Sequence, residues 1–254
     1  MQSIPYFIPR QTRINFWAAY QWLFASPNRW MNLLYASVCQ LIPIAGSMVL
    51  NGWLIEALVP RTAEDWPGWD GKGPYPDFTF DRFMPYLQRG VWPLLVSLVA
   101  GMVVALPAAV IMMVAVMFIP LARGNPVAVV LAAGVVMVMA VVAVAGSMFL
   151  MTPFMVRAAL LQDFGQSFNL TWVKDFLART WRELLLETVF LWVTSLPMML
   201  IGYAMCFVGL YAATALLSIA HWHLNLQIYR LFVARGGAPL VPKGFPPPIP
   251  AGGA

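Results

Sequence analysis

The sequence predicts an all-α integral membrane protein, a bundle of about five transmembrane helices with one or two interfacial amphipathic helices. Three observations carry that expectation. Of the 254 residues, 61% are hydrophobic and only 10% are charged, where a water-soluble domain carries about 25% charged residues. The apolar residues gather into runs long enough to cross a bilayer, which takes about 20 residues in a helix. The basic residues stand at the ends of these runs, as topology signals and headgroup contacts do. A nucleic-acid-binding module, a secreted disulfide scaffold and a disordered regulator all fit this composition poorly. The net charge of +5 is therefore no pointer to nucleic acid.

The elements follow in chain order. The first thirty residues lack the basic–apolar–small order of a cleaved leader. Residues 14–25, aromatic-rich from Ile14 to Phe24, read as a first interfacial helix. Residues 30–59 are expected to form the first span, one long kinked helix with Pro43 and Gly46 near its middle and Glu56 towards its end. The loop 60–90 then carries Glu64, Asp65, Asp70, Asp77 and Asp81 among aromatics suited to the headgroup layer. Its prolines argue against a long regular helix. Asp70-Gly71-Lys72-Gly73 lacks the ligand spacing of a calcium loop.

Spans two and three are expected over 91–122 and 126–156, as antiparallel neighbours joined by the short turn Arg123-Gly124-Asn125-Pro126. Small residues such as Gly101, Ala105 and Ala109, or Ala133 and Ala140, allow close helix approach, within the bundle or to a partner subunit. Phe164, Phe168, Trp172 and Phe176 recur every four residues, so 167–180 reads as a second interfacial helix. A helix packed on the soluble side of the bundle is the other reading. The next apolar stretch, 184–233, is about 75 Å long at 1.5 Å per residue, too long for one crossing. A turn near Cys206 divides it into spans 184–205 and 209–233. Residues 1–238 thus form one membrane domain, and 239–254 a Pro/Gly-rich, extended tail. Cys39 and Cys206 read as buried, inert thiols.

No ionisable residue is expected deep in a span. Glu56, Arg157, Arg182, Glu183, Glu187 and Arg230 all lie within a turn or two of a span end, where long side chains snorkel. The histidines are His221 and His223, the candidate cofactor-binding residues. Two positions apart on one helix they diverge by about 200°, so they cannot clamp one metal ion. Asn225 and Gln227, each four residues on, favour structural polar contacts over a tetrapyrrole ligand. There is no nucleophile elbow, P-loop, zinc-protease motif or dinucleotide fingerprint. No catalytic residue, metal site or cofactor is expected.

Counted over five spans, eleven Lys and Arg fall on one side and four on the other, which predicts an N-outside, C-inside arrangement in a bacterial cytoplasmic (inner) membrane. The expected function is non-enzymatic, a structural or accessory subunit of a membrane assembly. The alternative is a transporter-like permease for a small apolar or lipid-like solute, suggested by the Pro/Gly breaks in spans one and four. The expected partners are membrane lipids and other membrane subunits or further copies of the chain, without nucleic acid.

Several short motifs carry a resemblance. Ser26-Pro27-Asn28-Arg29-Trp30, Leu41-Ile42-Pro43-Ile44-Ala45-Gly46 and Asn51-Gly52-Trp53-Leu54-Ile55-Glu56 are followed in order by the acidic run Glu64 to Asp70, the stretch Phe83 to Pro93 and the closing segment His221 to Gly237. Together they resemble a family of multi-pass membrane proteins of unknown function from bacteria, planctomycetes among them, and archaea. Residues Gly71 to Pro76 form an insertion relative to that pattern. The resemblance implies that the acidic Trp/Pro loop is a recurring part and transfers no activity.

Overall fold

The computed structural model describes residues 13–59, 75–117, 125–205 and 207–243. Its helices are α1 (Ala18–Phe24), α2 (Arg29–Leu41), α3 (Ala45–Leu58), α4 (Phe83–Met117), α5 (Pro126–Leu161), α6 (Phe164–Ser167), α7 (Leu170–Ala204) and α8 (Val208–Ala234). A single 3-10 turn, Phe80–Arg82, leads into α4. Among the described residues, three helical stretches are long and apolar enough to cross a membrane: Phe80–Val103, Pro126–Leu161 and Leu170–Ala204. That is fewer than the five spans expected, and the difference has two sources.

The first is the run 30–59, which is a hairpin instead of one helix. Pro43 removes a backbone donor and pushes Ile42 into extended backbone (φ −99°, ψ 104°). A γ-turn follows, centred on Ile44 (φ 62°, ψ −68°), with the Ala45 N–H donating to the Pro43 carbonyl at 2.6 Å. The chain then folds back so tightly that a Cβ on Gly46 would sit 1.8 Å from the Cys39 carbonyl oxygen. α2 and α3 have 13 and 14 residues, so each is roughly 20 Å long against a hydrocarbon layer of about 30 Å. Neither spans.

Both ends of the hairpin lie at the same end of the bundle. Asn32, early in α2, donates to Asp77 at 2.8 Å, and Trp53, late in α3, donates to the Pro76 carbonyl at 3.0 Å. α3 then runs antiparallel to the start of α4, backbone against backbone. A Cβ on Gly52 would lie 1.8 Å from the Tyr86 carbonyl oxygen, and one on Gly90 1.7 Å from that of Met48. Only glycine permits this approach.

The second source is α8. Antiparallel to α7 and joined to it at Gly202 and Gly209, it is long enough to cross, but His221, His223, Asn225, Gln227 and Arg230 make its second half less apolar than the three stretches above, and that half is buried on every side. α1 packs Ala19 and Trp22 on it, α2 and α3 cover other faces, and Trp172 and Phe176 of α7 pack on its Phe232 at 5.0 and 5.1 Å between ring centres. The helix carries Trp222, His223, Asn225, Gln227, Tyr229 and Arg230 into this core.

The expected interfacial helices take a different form. Residues 14–25 contribute the seven-residue α1, with Ala18, Ala19, Trp22 and Leu23 buried in protein. Residues 167–180 and 184–205 belong to one 35-residue helix, α7, capped by the Asn169 side chain, which accepts from the Trp172 N–H. No glycine or proline interrupts Leu170–Leu196, so nothing ends the helix between them. Trp172 and Phe176 of the aromatic stripe face Phe232 of α8, and Phe168 faces Phe154 of α5, which is the packed alternative. α5 starts at Pro126 as expected, with Asn125 capping, but continues to Leu161. α4 begins at Phe83, eight residues before the expected 91; the expected end of that span at 122 and most of the acidic loop (Glu64, Asp65 and Asp70) lie outside the described residues.

The described start of the tail is docked. Leu240 N–H donates to the Tyr229 hydroxyl at 2.7 Å, Lys243 N–H to the Leu160 carbonyl at 2.8 Å, and the Trp172 indole to the Ala238 carbonyl at 3.0 Å. Gly236 makes the turn at φ 82°, where other residues are strained.

Asp77 ties α2 to the stretch before α4. It accepts from Ser26 Oγ (2.7 Å), Asn28 Nδ2 (2.6 Å) and Asn32 Nδ2 (2.8 Å). Partial burial acts to raise its pKa, but these hydrogen bonds outweigh it and hold the carboxyl below the usual range. Burial pushes the neighbouring Tyr75 up to about 12, so it stays a neutral donor to the Leu23 carbonyl. A depressed folded-state pKa gives stability that is present above the unfolded carboxyl value, about 4, and is lost as pH falls through the folded value. Asp77→Asn is therefore expected to lower the melting temperature at neutral pH and to flatten the decline below pH about 4. Melting curves of both proteins across that range check it; parallel curves would refute the clamp.

Candidate functional site

Residues at the middle of α8 and the lower half of α7 build the site. Glu187 lies six residues beyond the exposed Trp181, roughly 9 Å along the helix. It does not snorkel: the residue is 2% exposed and its Oε1 faces His221 Nδ1 at 3.2 Å. The two atoms are close enough for an ion pair but not aligned as a hydrogen bond, so each lacks a hydrogen-bond partner. The other ring nitrogen, Nε2, stands 3.0 Å from Asn225 Nδ2, and Asn225 Oδ1 has no partner.

An open-sided cavity of about 300 Å³ adjoins the pair, between α5, α7 and α8. Met148, Leu191, Trp192 and Leu217 give it apolar walls, and Ser195, Ser218 and His221 add polar groups. The His221 side chain is 29% exposed while that of Glu187 is 3% exposed, so the imidazole stands between carboxyl and cavity. Near the tip of the α2–α3 hairpin, Gln40 donates to Ser218 Oγ at 3.4 Å, bracing the cavity wall.

His223 points elsewhere, as the two-residue spacing requires. It is buried beside Trp22 (6.1 Å between ring centres), with the Gln227 amide nitrogen Nε2 at 2.9 Å from its Nδ1. Gln227 also closes a two-way contact with the Asn15 backbone, accepting from its N–H at 2.8 Å and donating to its carbonyl at 2.9 Å. His223 is thus a core residue that seats the N-terminal segment. The anticipated i, i+4 partners, Asn225 and Gln227, both contact their histidines. Neither arrangement gathers a set of ligands: among the described residues there is no group of three or more His, Cys, Asp or Glu able to hold a metal ion.

Sequence reasoning missed Glu187 because it stood three residues inside the expected span 184–205. The available signal was the turn. Counted from the Gly202–Gly209 crossing, Glu187 is 15 residues down α7 and His221 is 12 down α8, within one helical turn of the same level.

The architecture defines the class: among the described residues the protein is all-helical, with three helices long and apolar enough to cross a membrane. The family described as "Protein of unknown function (DUF4013)" matches residues 35–219. The chain belongs to that family, as the motif resemblance implied for a family of unknown function. The matched stretch includes Glu187 and stops two residues before His221. No curated protein and no solved structure matches the chain.

Proposed function

We propose that the protein is a non-enzymatic, permease-type membrane protein that admits a small, weakly polar solute to the cavity between α5, α7 and α8. One observation carries this reading: an open-sided cavity of about 300 Å³ between α5, α7 and α8, lined by His221 with the buried Glu187 carboxyl behind it and braced from a broken-helix hairpin. Its volume is at the lower end of small-molecule sites, about 300–1,000 Å³. Short half-helices that enter and leave at one end are the parts from which transporter sites are commonly built.

The hairpin also changes the orientation we assign. Since it returns to its own end and α8 runs back antiparallel to α7, the first and last described residues, Arg13 and Lys243, belong to that end. All eleven Lys and Arg of the described residues lie on segments there. The positive-inside rule then places that end in the cytoplasm of a bacterial cell, in its cytoplasmic membrane, in place of an N-outside arrangement.

A second reading, a subunit of a membrane assembly or a homo-oligomer, is favoured by the far parts of α4 and α5. A Cβ on Gly101, Gly134 or Gly146 would meet no atom of a neighbouring element within 4 Å. Swelling of proteoliposomes in glycerol separates the readings. The permease reading expects swelling faster than in protein-free vesicles, lost in Ser218→Trp, and a C-terminal reporter active only in the cytoplasm. A rate equal to that of empty vesicles, with a stoichiometric partner purified from native membranes, would overturn it in favour of the assembly.

A further inference from the structure

We propose that Glu187 and His221 form a proton-exchange site that opens to the cavity through His221. The proposal deepens the permease reading by naming a coupled ion, but the site stands on its own geometry. Glu187 is buried within the apolar part of the bundle, and among the described residues the only charge-bearing group that interacts with it is His221. Water that reaches the cavity meets His221, Ser195 and Ser218, not Glu187.

The proton inventory follows from hydrogen-bond chemistry. With Asn225 Nδ2 donating to Nε2, a neutral imidazole carries its proton on Nδ1, the nitrogen 3.2 Å from Glu187 Oε1. The pair then has charge −1. A proton arriving from the cavity binds the Nε2 lone pair, and the Asn225 amide turns so that Oδ1, which lacks a partner, accepts the new N–H. The Nδ1 proton then passes across the 3.2 Å gap to Oε1. One proton is gained, no bond between heavy atoms changes, and the pair becomes neutral. A neutral pair costs far less to hold in an apolar surround than a lone carboxylate.

Groups facing the pair from neighbouring elements do not supply a competing charge. On α7, Glu183 is engaged by Arg235 towards the basic end. On α8, His223 faces the opposite side, against Trp22. From α1, the Tyr20 hydroxyl is occupied by Thr194 Oγ1 at 2.6 Å. α2 brings the uncharged Gln40, and α5 brings Met148.

The test uses the full chain in lipid nanodiscs, with protons as the probe. Infrared difference spectra across a pH titration are expected to show one carboxylic C=O band that is absent in Glu187→Gln. Histidine labelled with ¹⁵N, assigned with His223→Gln, is expected to show the His221 proton moving from Nδ1 to Nε2 over the same pH range. Glu187→Gln should weaken that proton binding about tenfold, since the facing anion is gone. Should the glutamine variant not fold, the wild-type spectra still decide, because the carboxyl band and the His221 signals must move together. A His221 signal indifferent to pH, or a carboxyl band that persists in Glu187→Gln, would overturn the proposal. Glycerol flux without this titration would leave the permease reading intact and remove the proton site; titration without flux would do the reverse.

Discussion

Replacing Gly90 with alanine is expected to separate α3 from α4 and to destabilise the protein by about 3 kcal/mol, the upper part of the usual range for overpacking. The reason is backbone contact. The added Cβ would lie 1.7 Å from the Met48 carbonyl oxygen, and the mirror-related Gly52 would place one 1.8 Å from that of Tyr86. Both obstructing atoms belong to helix backbones, so no side chain can turn aside to make room. Each carbonyl must retreat by more than an ångström before the contact reaches even 3.0 Å. Moving α3 in that way pulls on everything it anchors. Trp53 would lose its bond to Pro76, Asn51 its bond from Trp222, and Glu56 its two arginines. Thermal or dodecyl-sulfate unfolding in detergent, followed by tryptophan fluorescence, measures the loss. Gly101→Ala is the control: its Cβ meets nothing within 4 Å and the change is expected to stay within about 0.5 kcal/mol. Equal effects at Gly90 and Gly101 would show that α3 and α4 do not meet at their backbones.

The same contacts explain what could and could not be seen in the sequence. Hydropathy finds apolar runs, and it found α5, α7 and α8 to within a few residues at their far ends. It cannot tell one 30-residue helix from two half-length helices of the same composition. Pro43 and Gly46 marked the place of the break, but its sharpness comes from Gly46 seated on the Cys39 carbonyl, a contact between residues seven apart. Composition also left the stripe Phe168, Trp172 and Phe176 between the membrane interface and a packed face, because an aromatic face looks alike against lipid or protein; Phe154 and Phe232 decide between them. The site was hidden for a related reason. A glutamate three residues inside an apolar run resembles a snorkelling residue until the register of the opposite helix is known, and that register is set at Gly202 and Gly209.

The short motifs prove to be structural joints. Ser26 and Asn28 hold Asp77, Asn51 accepts from Trp222, Gly52 admits α4, and Trp53 fastens Pro76. Between them they attach the hairpin to α4, to α8 and to the stretch after the acidic loop. The permease reading needs this attachment. A half-length hairpin beside a cavity is useful only if its open end is held while its tip braces Ser218.

Removing Glu56 is expected to release that open end. Its carboxyl, 2% exposed, takes Arg82 Nη2 at 2.8 Å on one oxygen and Arg89 Nε at 2.9 Å on the other. Glu56→Ala leaves Arg89, only 16% exposed, without its carboxylate in the apolar seam between α3 and α4. Breaking a buried ion pair from one side costs about 3–5 kcal/mol. Arg82, 40% exposed, recovers water and lessens the loss, so about 3 kcal/mol is the expected value. Removing both charges in the seam should be gentler: Glu56→Leu with Arg89→Leu is expected to recover at least half of that loss, since an apolar pair needs no partner. The comparison isolates the stranded charge from lost packing. A double variant no more stable than Glu56→Ala would mean that the glutamate's packing, and not the arginine it neutralises, holds α3 on α4. The hairpin would then depend on shape alone, and Gly52 and Gly90 would carry the whole attachment.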